Sequence, residues 1–150
     1  MEDHLYQVGL EWREDRKGEI SSPVLNDKIE VATPPEFPGG MEGIWSPEHL
    51  FTAAVNSCFM TTFLAIAKNF DLKFKDFSCP AEGKLSKADG KFAMTEVLLQ
   101  PVLTILDEKD LEKAEKVIHK TEKACLITNS IKAEVILKPT IKLESSYSLS

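Results

Sequence analysis

The chain has 150 residues, of which 43% are hydrophobic and 28% are charged. These values are typical of a globular protein and exclude wholesale disorder. Its 18 Lys and Arg side chains against 24 Asp and Glu side chains give a net charge of −6, which argues against nucleic acid or an anionic membrane as the main partner. This length predicts a single domain over 1–150, with an N-terminal β-meander and loop (1–45), a core (46–143) and a polar tail (144–150).

The N-terminal segment and the cysteine content indicate a cytoplasmic protein. Met1-Glu2-Asp3-His4 is acidic and leads into no apolar segment, so no secretory signal is expected. Three widely spaced cysteines do not form a secreted disulfide framework. The longest uncharged stretch, 51–67, is shorter than a bilayer span and contains Thr, Asn and Ser, so we interpret it as a buried helix.

The first 32 residues predict a small antiparallel meander. Val8, Leu10 and Trp12 alternate with polar neighbours or glycine, which is typical of a half-buried strand. Residues 14–18 are rich in turn formers, and a shorter alternation around Ile29 and Val31 follows.

A loop and a long apolar helix come next. Residues 33–43 contain three prolines and three glycines, which disfavour a strand. Ser46 is a good N-cap, Pro47 suits the first helical position and Glu48 favours the positive end of the helix dipole. The segment from there to Asn69 is apolar nearly all round, so we expect this helix to lie in the middle of the core.

The remaining elements predict an α+β fold. A long hairpin is expected from the shared parity of Phe77, Cys79, Ala81 and Leu85, a turn at 88–91, and a second strand over 92–106. Asp107 is predicted to begin a second, amphipathic helix. Its predicted inward face consists of Leu111, Ala114, Ile118, Thr121 and Cys125. Alternation over 131–143 predicts a closing strand, and strands without regular strand–helix–strand order favour α+β.

Two cysteines carry the strongest chemical signal. Cys58 lies in the apolar helix, and Cys125 lies where the second helix ends, before a segment able to open another short helix. Thiols on separate elements can form a reversible disulfide if their Cα atoms come within about 7 Å. The alternative is that both cysteines only pack as small hydrophobes. Cys79 shares its parity with Phe77 and Ala81 and is predicted to be a core residue.

Other site types have little support in the sequence. His4, His49 and His119 show no ligand spacing and no C-x-x-C is present, so a zinc site is not expected. No histidine lies in a nucleophile context that would indicate a hydrolase. The glycines of 39–43 lack the preceding strand of a dinucleotide fingerprint and the Lys-Ser/Thr of a phosphate loop.

Three segments carry a family resemblance. Residues 46–59, SPEHLFTAAVNSCF, resemble the first-cysteine signature of the OsmC/Ohr family, in which a cysteine follows a Ser/Asn-Pro-Glu start ten residues after the Glu. Residues 124–131, ACLITNSI, resemble its second-cysteine segment. Arg16-Lys17-Gly18 is similar to the turn that bears the family's arginine. The resemblance extends over essentially the whole chain, including the order of its elements.

The resemblance implies an intertwined homodimer with antiparallel sheets around a long buried central helix. It also implies a thiol peroxidase that reduces organic hydroperoxides, with no bound cofactor and with an external dithiol or lipoyl-type reductant. By position, Cys58 is the peroxidatic nucleophile and Cys125 the resolving thiol. Arg16 holds the thiolate and Glu48 orients Arg16. A thiolate is the form that attacks a peroxide, and burial alone raises a thiol pKa, so a nearby positive charge suits this chemistry.

Two departures and one geometric argument refine the expectation. Leu126 follows the second cysteine where the family commonly has proline, and Arg13 competes with Arg16 for the arginine position. Ten helical residues rise by about 15 Å, so Glu48 lies far from the Cys58 of its own chain in an unbroken helix. We therefore expect a site shared between protomers. The alternative functions are a dimer that binds a small apolar ligand without turnover and a purely structural dimer.

Overall fold

The computed structural model describes residues 2–144, apart from the side chain of Ala88. The described residues fall into two compact units, one ending at Leu50 and one beginning at Phe51. This boundary lies close to the predicted subdivision at residue 45. The single-domain interpretation stays a prediction. The predicted α+β class is confirmed, because a long helix and a shorter amphipathic one accompany three three-stranded sheets within residues 2–144.

The first unit contains the predicted antiparallel meander. Its strands are β1 (Gly9–Glu14), β2 (Lys17–Ser22) and β3 (Leu25–Ala32), paired in the order β1-β2-β3. A two-residue connection joins β1 to β2, and Asp15 takes a positive φ of 48° there, a conformation that aspartate tolerates better than most residues.

The two faces of this sheet differ in chemistry. Glu11, Glu19 and Glu30 lie opposite one another across the three strands, and three cations relieve their repulsion: Arg13 bonds Glu19 at 2.7 Å, while Lys17 and Lys28 lie near Glu30 and Glu19. On the other face, Leu10, Ile20 and Ile29 form an apolar row.

The prediction that β1 is half-buried is wrong for the single chain. Val8, Leu10 and Trp12 keep 70%, 67% and 74% of their surfaces exposed. The period-2 alternation correctly identified a strand with one apolar face, but alternation does not reveal whether the same chain covers that face.

Helix α1 (Pro47–Asn69) begins as predicted. The Ser46 hydroxyl accepts the backbone N–H of His49 at 3.1 Å and pairs with His49 Nδ1 at 2.7 Å, so Ser46 is the N-cap. By length and composition alone, α1 is long and apolar enough to span a membrane. Core helices pass the same test, so this is weak evidence.

Only one face of α1 is buried. Val55, Phe59, Phe63 and Ala67 are buried at helical spacing, and Phe63 stacks on Phe77 with ring centroids 4.5 Å apart. A neighbouring side of the helix exposes 40% of Met60 and 43% of Leu64. The expectation of a helix buried on every side is therefore wrong for one chain, because its second apolar face has no cover within residues 2–144.

The sheets of the second unit come from three chain segments that each change sheets at a proline. The segments run as β4 (Phe74–Ser78) into β5 (Ala81–Ala88), β6 (Lys91–Leu99) into β7 (Val102–Ile105), and β8 (Glu134–Leu137) into β9 (Thr140–Leu143). Their pairing orders are β4-β7-β9 and β5-β6-β8. Pro80, Pro101 and Pro139 lie at the three breaks, because proline lacks the N–H that a continuous ladder needs.

The sheets of this unit are mixed, whereas the family resemblance implied antiparallel ones. The β5–β6 hairpin is antiparallel and turns at Asp89 and Gly90, both at positive φ. The last segment runs parallel to its neighbour, so that β8 pairs with β6 and β9 with β7. Alternation predicted this strand but carries no information on its direction.

Two further helices complete the unit. The Asp107 carboxylate accepts the N–H of Lys109 and caps a 3₁₀ turn (Glu108–Asp110) that leads into α2 (Leu111–Ala124). Ala114, Ile118 and Thr121 are buried as predicted, whereas Leu111 is 42% exposed and the prediction missed the buried Val117. A short helix, α3 (Leu126–Asn129), follows Cys125. Of the predicted polar tail, Glu144 pairs with Lys75 at 2.5 Å, and 145–150 lie outside the described residues.

Candidate functional site: two cysteines between three helices

The second unit brings Cys58 and Cys125 together. Cys58 lies in the middle of α1, and Cys125 is both the C-cap of α2 and the N-cap of α3. Both thiols are free, Cys58 is partly exposed and Cys125 is fully buried. The Cys58 and Cys125 side chains lie close enough to shift each other's pKa, so the two thiols are neighbours, as the disulfide hypothesis requires.

Opposing influences set the pKa of Cys58. Burial is the largest single influence and raises the pKa, because a thiolate loses hydration. Hydrogen bonds to the sulfur lower it, and together they outweigh burial. The donors, in order of effect, are the N–H of Ile127, the thiol of Cys125, the hydroxyl of Thr62 and the N–H of Leu126. The net pKa of Cys58 is therefore lower than that of an ordinary thiol.

Cys125 is shifted in the opposite direction. Burial raises its pKa most, and the neighbouring Cys58 raises it further, both through the shared hydrogen bond and by charge. The Thr128 hydroxyl and backbone N–H act against this rise without cancelling it. Cys58 is thus favoured as the thiolate, and Cys125 is favoured as the protonated thiol.

Two threonines of α1 also contact Cys58. The Thr62 hydroxyl lies 3.8 Å from the Cys58 sulfur, and the Thr61 hydroxyl donates to the Cys58 backbone carbonyl at 3.1 Å. The sequence patterns did not indicate Thr62 or the amides of Leu126 and Ile127 as partners of Cys58. The available signal for Thr62 was its position four residues after the cysteine, on the same helix face.

Arg16 and Glu48, the other predicted site residues, belong to the first unit. Arg16 follows Asp15 in the β1–β2 turn, where its Nε donates to the Thr33 hydroxyl at 3.1 Å and its carbonyl accepts the Thr33 N–H. Glu48 lies in the first turn of α1. The competing Arg13 is engaged by carboxylates, and its bond to Glu19 raises its pKa.

Cys79 belongs to the packing rather than to the cysteine pair. It is half-buried against the core, as predicted, and burial raises its pKa to about 11. Its carbonyl accepts the Asn56 side-chain amide at 2.9 Å. Within residues 2–144, no group of three or more His, Cys, Asp or Glu side chains is arranged to hold a metal ion.

Comparison with known proteins agrees with this architecture. The family model described as OsmC-like protein matches residues 40–140. The uncharacterized protein YmaD of Bacillus subtilis is 27% identical over 99% of this chain and 98% of its own length. An OsmC-like protein of unknown function from Vibrio cholerae superposes with a TM-score of 0.81 at 26% identity, over 91% of this chain and 99% of the other. An organic hydroperoxide resistance protein from Legionella pneumophila superposes with a TM-score of 0.71 at 26% identity, covering 93% and 99%.

The fold and the cysteine pair together define an α+β protein with two neighbouring thiols on separate helices. The matched region is most of the chain, so the protein belongs to the OsmC-like family. Structural relatives of this family include proteins named for organic hydroperoxide resistance.

Proposed function

We propose that this protein is a thiol peroxidase that reduces organic hydroperoxides to alcohols. The single observation that carries the proposal is that Cys58 and Cys125 are neighbouring free thiols, with a lowered pKa at Cys58 and a raised pKa at Cys125. A peroxidatic cysteine must be a thiolate, and a resolving cysteine must wait beside it as a thiol.

In the first step, the Cys58 thiolate attacks the terminal oxygen of the hydroperoxide. A sulfur–oxygen bond forms while the oxygen–oxygen bond breaks, so Cys58 is oxidised to a sulfenic acid and the substrate leaves as an alkoxide. The alkoxide takes up one proton and departs as the alcohol. The partial exposure of Cys58 gives a substrate access to the sulfur.

In the second step, Cys125 attacks the sulfur of the sulfenic acid. The Cys58–Cys125 disulfide forms, and the hydroxyl group leaves as water together with the Cys125 proton. An external dithiol, of which a lipoyl-type molecule is one class, then restores both thiols and is itself oxidised to a disulfide. No bound cofactor is needed, and a reducing cytoplasm would supply the dithiol.

Arg16 and Glu48 are proposed to complete the site from a second protomer of a homodimer. Arg16 suits the role better than Arg13, because Arg16 donates to a neutral hydroxyl whereas Arg13 is engaged by two glutamates. Exposed apolar side chains on β1 and on α1, among them Leu10, Trp12 and Leu64, support a partner copy that would cover them.

The test is consumption of an alkyl hydroperoxide, such as cumene hydroperoxide, with dihydrolipoamide as the donor. Wild type is expected to turn over, and Cys58→Ser to be inactive. Cys125→Ser should consume one equivalent per chain and then stall. Cys79→Ser is the matched control, since it removes a half-buried thiol outside the pair and should retain turnover. Equal activity of wild type and Cys58→Ser would refute the proposal.

A further inference from the structure

The Thr62 hydroxyl is held beside the Cys58 sulfur by the helix itself. The two residues are one turn apart in α1, at the i, i+4 spacing that places side chains on one face. Oxygen and sulfur lie 3.8 Å apart. Because Thr is β-branched, its side chain has few rotamers in a helix, which limits the positions that this hydroxyl can take.

The hydroxyl of the neighbouring Thr61 donates to a backbone carbonyl of the preceding turn, which is the usual acceptor for a threonine in a helix. A threonine hydroxyl in a helix commonly donates to the carbonyl three or four residues earlier. For Thr62 the carbonyl four residues earlier is that of Cys58, and Thr61 already donates to it at 3.1 Å. The Thr62 hydroxyl lies instead beside the side chain of Cys58.

We propose that Thr62 is a positioning residue for the peroxidatic thiolate, its hydroxyl donating a hydrogen bond to the Cys58 sulfur and holding it in one orientation for attack. This inference rests on the proposed peroxidase function. A hydrogen bond to an ionised acceptor is about twice as strong as one between neutral groups, so this contact favours the thiolate over the thiol. The lowered pKa of Cys58, to which Thr62 contributes, agrees with this assignment.

Three variants test the role of Thr62. Thr62→Val keeps the side-chain shape and removes the hydroxyl, whereas Thr62→Ser keeps the hydroxyl. Thr61→Val makes the same chemical change at the adjacent residue, where the hydroxyl meets the Cys58 carbonyl rather than its sulfur. The pKa of Cys58 is measured from the pH dependence of iodoacetamide alkylation, read at the Cys58 peptide by mass spectrometry. Circular dichroism melting verifies that each variant folds.

We expect Thr62→Val to raise the Cys58 pKa by about 1, which lowers the thiolate fraction and the first-turnover rate about tenfold at any pH below the wild-type Cys58 pKa. The rate should recover at higher pH, which a purely structural defect would not produce. Thr62→Ser and Thr61→Val should behave like wild type. An unchanged pKa in Thr62→Val, or an equal rise in Thr61→Val, would overturn the assignment of Thr62.

The same experiment separates this inference from the function on which it rests. If wild type consumes no hydroperoxide but Thr62→Val still raises the Cys58 pKa, the peroxidase proposal fails and the hydrogen bond to the thiolate stands. If wild type turns over and Thr62→Val matches it in pKa and pH profile, the peroxidase proposal stands and the role of Thr62 is rejected.

Discussion

Cys58 and Cys125 are neighbours that influence each other's pKa in opposite directions: Cys125 lowers the pKa of Cys58, and Cys58 adds to the rise that burial causes in the pKa of Cys125. Donation from Cys125 stabilises the Cys58 thiolate and at the same time makes the Cys125 proton harder to remove. Cys125 therefore has two proposed roles: it activates the Cys58 thiolate and later resolves the Cys58 sulfenic acid. A substitution of Cys125 can affect the first chemical step as well as the second.

Cys125→Ala and Cys125→Ser should differ in the reactivity of Cys58. Serine keeps an O–H donor beside the sulfur, whereas alanine removes the donor, so we expect the Cys58 pKa to rise in Cys125→Ala and to stay nearer the wild-type value in Cys125→Ser. The measurement is the pH dependence of Cys58 alkylation in each variant. Equal pKa values in the two variants would show that the Cys125 donor contributes nothing to the thiolate.

Cys58 and Cys79 should be alkylated in different pH ranges. The Cys58 pKa is lowered, so a larger fraction of Cys58 is thiolate at neutral pH. Burial raises the Cys79 pKa to about 11, so Cys79 is protonated at neutral pH and becomes reactive only as the pH approaches that value. Iodoacetamide at pH 7 should label the Cys58 peptide first. Preferential labelling of Cys79 at that pH would contradict both shifts.

Leu126→Pro should raise the pKa of Cys58. Leu126 is the first residue of α3, a position that tolerates proline, and Cys125 before it has the extended ψ of 110° that a residue preceding proline prefers. The variant should therefore fold while losing the Leu126 N–H that lowers the Cys58 pKa. Leu126→Ala keeps that N–H and is the matched control, since the leucine side chain is 64% exposed. A Cys58 pKa in Leu126→Pro equal to that of wild type would exclude the Leu126 N–H as a donor to Cys58.

The pairing of the two cysteines was implied by the resemblance of residues 46–59 and 124–131 to a known family, since α1 is apolar nearly all round and no period singles out the face of Cys58. The donors around Cys58 could not be predicted, since two are backbone N–H groups that no side-chain pattern records. The breaks at Pro80, Pro101 and Pro139 were not predicted. The apolar alternation continues on both sides of each proline, so the pattern indicated continuous strands.

The covered and uncovered faces of α1 could not be told apart either. Phe63 and Leu64 are adjacent and both apolar, yet Phe63 is fully buried and Leu64 is 43% exposed. A helix that is apolar all round predicts that both faces will be covered, and leaves open whether the same chain or another one covers them.

Asn56→Ala should destabilise the second unit modestly. The Asn56 side-chain amide donates to the Cys79 carbonyl at 2.9 Å, just before Pro80, and its removal leaves that carbonyl without this partner. The Asn56 Oδ1 is buried without a hydrogen-bond partner among residues 2–144, and losing it offsets part of the cost. We expect a free energy of unfolding lower by about 1–2 kcal/mol, measured by urea denaturation. Ser57→Ala, at an exposed site, should change it by less than about 0.5 kcal/mol.

Leu10→Lys should dissociate the proposed homodimer. Leu10 lies on the apolar face of the first sheet and is 67% exposed in the single chain, and a charge buried in a dimer contact there would be unpaired. Glu11→Lys introduces the same side chain on the opposite face, directly across from Glu19, where a cation is favoured. Light scattering after size-exclusion chromatography should give twice the mass of one chain for wild type and Glu11→Lys, and the mass of one chain for Leu10→Lys. A dimeric Leu10→Lys protein would place the contact elsewhere, and a monomeric wild type would remove the partner that Arg16 and Glu48 are proposed to come from.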